Sequence, residues 1–140
     1  MATVAPALHD TRRSPTTAIS DAETGALLRA FFNLMRRWAL NDRQGRILLG
    51  EPAARTYARW KAGQVELPRI SRDTRERLSI LMGIHKSLRY LFPDPSRGYH
   101  WLRKPNQAFG GQPALHRLLA GSIPDLAAVR AYLDAQRSGW

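Results

Sequence analysis

An all-α fold is what this 140-residue sequence predicts, and three observations carry the expectation. Apolar residues recur at three- and four-residue steps, which places them on one helix face. Cap-plus-three patterns stand immediately ahead of two of those runs. No stretch alternates polar and apolar with period two for long, so no sheet is expected.

Residues 1–20 read as a flexible arm, rich in Ala, Thr, Pro and Ser without period. Ser20-Asp21-Ala22-Glu23 is a capping box, because the Ser hydroxyl accepts from the third backbone N–H and the Glu reaches back. The helix it starts carries Leu27, Leu28, Phe31, Phe32, Met35 and Trp38 on a broad apolar face, a candidate dimer surface. Asn41 to Gln44 repeats the pattern and opens a short helix to Leu49, with Gly50 as the turn. Pro52 suits the first position of a third helix through Lys61, stopped by Gly63. Pro68 stiffens a linker. Ser71 caps a fourth helix over Arg72 to Met82, with Gly83 as its end. Leu88, Leu91 and Phe92 mark a fifth, closed by Pro93 and Pro95. Ser96 to Arg103 forms a sixth. Pro113 opens a helix to Ala120, and Pro124 opens the last, where Leu126, Val129, Tyr132 and Leu133 share a face.

Cysteine is absent, which removes disulfides and thiolate metal sites and fits a reducing, cytoplasmic setting. No apolar run approaches a membrane span, and the N-terminus lacks a secretory signal pattern. The net charge is +11, a field that favours polyanions or acidic partners. Residues 1–35 are net neutral, residues 36–77 net +6 and residues 78–140 net +5. A membrane-surface role fits poorly, because the most apolar helix is near neutral before Arg36 and Arg37. His9, His85, His100 and His116 show no i, i+4 pair, and Gly110-Gly111 lacks a following Lys-Ser/Thr. No metal, cofactor or catalytic group is expected, and the chain reads as no enzyme.

Short helix, glycine turn, second helix is the outline of a helix-turn-helix. Arg55, Thr56 and Arg59 can share the outer face of the second helix and reach base edges. Arg43, Arg46 and Lys61 are placed to hold phosphates, and Tyr57 and Trp60 to anchor the helix inward. Counted from Gly50, the positions this motif ordinarily buries hold Thr56 and Arg59. Tyr57 and Trp60 fall one later, so the turn is expected to be one residue longer. A helical hairpin with a solvated basic face is the plainer alternative.

The most specific stretch is Trp101-Leu102-Arg103-Lys104-Pro105-Asn106-Gln107-Ala108-Phe109-Gly110-Gly111-Gln112-Pro113. It resembles the Xre/MbcA/ParS antitoxins, whose toxin-binding domain carries a W-L-x-x-P-N-x-x-[LF]-x-G-x-x-P pattern. Leu115, Leu118, Leu119, Gly121, Val129 and Tyr132-Leu133 continue the likeness. Upstream, Leu48-Leu49-Gly50, Thr56, Arg59-Trp60, Ser71-Arg72-Asp73, Arg77-Leu78, Gly83-Ile84 and Leu91-Phe92 extend it.

The resemblance implies a helix-turn-helix-like unit over residues 21–70 and a toxin-binding unit over residues 71–140. It implies an antitoxin that blocks the NAD pocket of a RES-domain toxin and represses its own operon by binding operator DNA. A homodimer and a hetero-oligomer with the toxin follow. Candidate toxin contacts are Arg103, Asn106 and Phe109 in the loop and Arg137 and Trp140 in the tail, which otherwise frays. Phe109 and Trp101 also have core packing open to them, the commoner fate of large apolar side chains. The alternative function is a stand-alone helix-turn-helix regulator with a C-terminal partner-binding unit.

Overall fold

The computed structural model describes residues 19–139. The expected arm lies outside them apart from Ile19 and Ser20, and so does Trp140. Seven α-helices and two 3-10 turns make up the described chain, with no strand among its residues. Helix α1 spans Asp21–Arg37, α2 Asp42–Leu48, α3 Ala54–Lys61, α4 Arg72–Leu91, α5 Pro95–Trp101, α6 Ala114–Leu118 and α7 Ile123–Arg137. The 3-10 turns are Leu67–Arg69 and Gln107–Phe109.

Local chemistry sets the helix starts. Ser20 and Glu23 form the expected reciprocal cap, with hydrogen bonds of 3.1 and 2.9 Å. Asn41 and Gln44 repeat it at 2.8 and 3.0 Å. Ser122 and Asp125 form a third box ahead of α7. Such caps stabilise a helix by about 1 kcal/mol each.

Helix α4 lies at the centre. It packs most extensively against α7, then against α1, and α5 returns along its C-terminal end. Leu78, Leu81, Ile84 and Leu88 recur along α4 and are fully buried. They meet Leu28, Phe31 and Met35 of α1 and Leu126, Val129 and Leu133 of α7 in one continuous core. Each such side chain contributes about 1.5–3 kcal/mol on burial.

Two arginines of α4 fasten this arrangement through backbone carbonyls. Arg77 is buried, and its Nε donates to Asp73 Oδ2 at 2.8 Å. Its Nη1 donates to Leu48 O at the end of α2 and, at 2.6 Å, to Gly121 O between α6 and α7. Arg75 donates to Ile70 O, Leu67 O, Ile19 O, Thr24 Oγ1 and Asp21 Oδ1, which ties the linker and the start of α1 to α4.

Three expectations need correction. Gly83 does not end a helix: α4 runs through it unbroken to Leu91. A Cβ at Gly83 would lie 2.5 Å from Arg130 Cζ, so this glycine serves close approach of α7. Pro52 does not sit at the first helical position, since α3 begins at Ala54 after N-cap Ala53. Gly50 and Glu51 both take left-handed φ, +86° and +61°, and that pair uses up chain before the helix can start. The apolar face of α1 is not free for a dimer. Phe31, Phe32, Leu34, Met35 and Trp38 are buried within the chain's own core.

The contact between α2 and α3 depends on one glycine. Tyr57 is buried, and burial, with Asp42 nearby, pushes its phenol up to about 12. A Cβ on Gly45 would fall onto Tyr57 Oη and 2.9 Å from Cζ. Gly to Ala inside a helix is normally favourable by about 1 kcal/mol. At this position the sign reverses: Gly45→Ala is expected to lower stability by about 1–3 kcal/mol in denaturant melts. Arg77→Ala leaves two carbonyls without their donor and is expected to cost about 3–5 kcal/mol. Asp73→Ala removes only the half-exposed end of that knot and should cost about 1 kcal/mol or less. Equal losses for the two variants would refute this ranking.

Candidate functional site

The loop between α5 and α6 is built by its own residues. Asn106 Oδ1 accepts from Ala108 N at 2.9 Å, and Asn106 O accepts from the N–H groups of Phe109 and Gly111 at 3.0 Å. Pro105 and Pro113 meet in an antiparallel bridge that closes the loop's neck. Gly110 and Gly111 hold φ of +67° and +86°, consecutive left-handed residues that favour glycine. Leu115 N–H donates to Leu102 O at 2.9 Å, which seats the start of α6 beneath the loop.

Aromatic contacts mount the loop on α7. Trp101 stacks on Tyr132 with centroids 6.1 Å apart, and Phe109 meets the same ring edge-on at 5.4 Å. All three rings are half-buried. Phe109 and Trp101 therefore lie at the edge of the core, each with part of its ring in solvent. Arg103 reaches back to α1, where its Nη2 donates to Trp38 O at 2.8 Å and Ala39 O at 3.2 Å. It thereby caps the last carbonyls of a helix that ends in a left-handed Ala39.

Arg137 lies elsewhere on the molecule. Its guanidinium carbon sits 5.0 Å over the Tyr90 ring, and its Nη1 is 3.4 Å from Ser87 Oγ. Tyr90 is 65% exposed, the largest exposure of a big hydrophobic side chain among the described residues. Sequence reasoning passed over Tyr90, Lys86 and Arg130. With Gly83 taken as a helix end, these side chains had no shared frame. The available signal was that Tyr90 falls off the apolar stripe of Ile84, Leu88 and Leu91.

The six candidate DNA residues gather around α2 and α3. Arg43, Arg55, Arg59 and Lys61 are exposed, and Thr56 is half-buried beside Trp60. Lys61 is paired with Asp42 at 2.8 Å and Arg59 with Glu66 at 3.9 Å. Arg46 donates to Pro52 O at 2.9 Å and so shapes the turn. Thr56, Arg59, Trp60, Gln64, Glu66 and Arg69 line a shallow notch, which adds Gln64 and Arg69 to this surface. His85 is half-buried, its pKa lowered by burial and by Arg89 and Arg37. No cluster of three metal-ligating side chains exists among the described residues, and no helix there is long and apolar enough to cross a membrane.

Residues 87–139 match the antitoxin Xre/MbcA/ParS C-terminal toxin-binding domain. That segment holds the end of α4, the Asn106 loop, α6 and α7. Over most of its length the chain is also similar to an uncharacterized protein, y4oB, of Sinorhizobium fredii. The two are 41% identical over 127 residues, covering 91% of this chain and 96% of that one. The loop with its two left-handed glycines and its aromatic mount is thus the scaffold of a toxin-binding domain, and the chain belongs to the Xre/MbcA/ParS antitoxin family.

Proposed function

We propose that this antitoxin neutralises a RES-domain toxin that consumes NAD, by covering the toxin's active site, and that it represses its own operon through α2 and α3. The match of residues 87–139 to a toxin-binding domain carries the first part. The chain acts by binding and supplies no chemistry of its own. The exposed rims of the loop, at Phe109 and beside Asn106, and the tail from Arg137 to Trp140 are the toxin-facing groups. Asn106 and Arg103 act mainly indirectly, since their side chains are engaged in shaping the loop and capping α1.

DNA binding rests on a different observation. Arg43 and Arg55 are exposed on consecutive short helices, in the part of the chain with the larger net charge. Phosphate contacts position such a unit and base contacts specify it. In this reading Arg43 holds phosphate, while Arg55 and Thr56 face base edges. Lys61, Arg46 and Arg59 support them after partial release from their present partners.

Induction of the adjacent reading frame alone is expected to empty the cellular NAD pool, and co-expression of this chain should restore it. A chain ending at Gln136 should restore it only in part. An NAD pool untouched by the adjacent protein would favour the stand-alone regulator. On a duplex from its own promoter, the protein should show affinity that falls steeply with salt. Arg43→Ala should weaken cognate and scrambled duplexes alike and lower the salt slope by about one. Arg55→Ala should cost about 1–3 kcal/mol on the cognate duplex and narrow its advantage. Equal affinity of wild type and both variants, read by fluorescence anisotropy, would remove α2 and α3 from DNA recognition.

A further inference from the structure

A shallow groove runs between α4 and α7, lined by Gly83, Lys86, Tyr90, Arg130, Asp134 and Arg137. Gly83 makes it possible: any side chain there would displace the Arg130 guanidinium, which lies against the α4 backbone with Nη1 3.4 Å from Ser79 O. Asp134 is the one carboxylate in the groove, and it is already engaged. Its Oδ1 accepts from Ser87 Oγ at 3.0 Å, and its Oδ2 is 3.6 Å from Arg130 Nε. Three cationic side chains, Lys86, Arg130 and Arg137, line the groove with this single anion.

Tyr90 and Arg137 form the outer end. A large ring left 65% in solvent is unusual, and here a guanidinium already sits over it. Tyr and Arg are the side chains most enriched among the groups that dominate interface energies. Part of the ordering they need on binding has already been made, because Arg137 rests on Tyr90 and Ser87.

We propose that this groove is a second toxin-binding surface, continuous with the tail at Arg137, which grips an acidic patch on the toxin beside the active site that the loop and the rest of the tail cover. The inference rests on the antitoxin reading and adds to it a place and a chemistry. Guanidinium groups held in a fixed pose match carboxylates in bidentate geometry. An acidic protein surface is the occupant because the groove is net positive and most of its lining falls within the toxin-binding segment 87–139. A second copy would bring the same positive face against itself. A single-stranded nucleic acid, which also favours basic and aromatic surfaces, is the competing occupant that the test separates.

The test is titration of the full-length chain with the purified protein of the adjacent reading frame, by calorimetry and by stopped-flow association. Tyr90→Ala is expected to raise Kd by about tenfold or more. Tyr90→Phe should stay close to wild type. Lys86→Glu should slow association at low salt, whereas Arg29→Glu, the same charge change on α1, should not. Tyr90 and Lys86 are exposed, so thermal melts should match wild type and exclude unfolding as the cause. Toxin binding within twofold of wild type for Tyr90→Ala and Lys86→Glu overturns the groove. So does a Tyr90→Ala variant that loses oligonucleotide binding or self-association while keeping the toxin. A wild-type chain that fails to bind the adjacent protein is a different result and removes the antitoxin pairing itself.

Discussion

One buried guanidinium holds the end of α2 and the turn between α6 and α7 to the central helix α4. Arg77 reaches the last carbonyl of α2 with one nitrogen and shares that nitrogen with the carbonyl of Gly121, while Asp73 balances its charge. Carbonyls at helix ends and turns lack intrahelical donors, and burying them unpaired is costly. A neutral donor would satisfy one of them. A planar cation with several N–H groups satisfies both and fixes their separation. Gly50 follows from this choice, because a Cβ there would lie 2.9 Å from Asp73 Oδ2 and 3.0 Å from Arg77 Nε. A Cβ on Gly121 would lie 3.1 Å from Ile47 Cγ2, so the turn ahead of α7 is packed closely against α2. The turn ahead of α3 and the turn ahead of α7 are therefore built around the same side chain.

This arrangement changes how the +11 charge is understood. Counted from the sequence, each Arg adds equally to a field that attracts polyanions. In the structure, Arg46, Arg75, Arg77 and Arg103 are spent largely on backbone carbonyls, and Arg117 on Asp125. Their charge still contributes to the long-range field. The donors engaged in these bonds reach a ligand only by giving up the contacts they make within the chain. The groups left to recognise partners are a smaller set, divided between the α2–α3 surface and the α4–α7 groove.

Most helices were legible in the sequence because their caps are local. Ser20, Asn41 and Ser71 each bond within three residues, so four contiguous residues contain the whole cause. The family resemblance was legible for a similar reason: Asn106, Gly110, Gly111 and Pro113 shape a loop from within. Apart from Pro52, displaced by the neighbouring Gly50 and Glu51, the misreadings involve distant partners. Gly83 looked like a stop because the sequence does not show Arg130 lying across it. The α1 face looked free because its cover comes from α4, some fifty residues on. Nor does the sequence show that Arg103 also donates to carbonyls sixty-five and sixty-four residues back. The Tyr90 groove needs the Gly83 correction before it can be seen, since it exists only once α4 is continuous and α7 lies against it.

The unbroken run of α4 also has a mechanical meaning. Its twenty residues make a rod about 30 Å long, with the Arg75 and Arg77 bonds at one end and Tyr90 at the other. Two helices hinged at Gly83 would absorb a push at either end in the hinge. A single rod turns it into leverage: a tilt of about 5° about one end carries the other by roughly 2.6 Å over that length. That is comparable to the displacements that break or form hydrogen bonds, and with Tyr90 as the pivot it would fall on the seam where the end of α2 and the α6–α7 turn are joined.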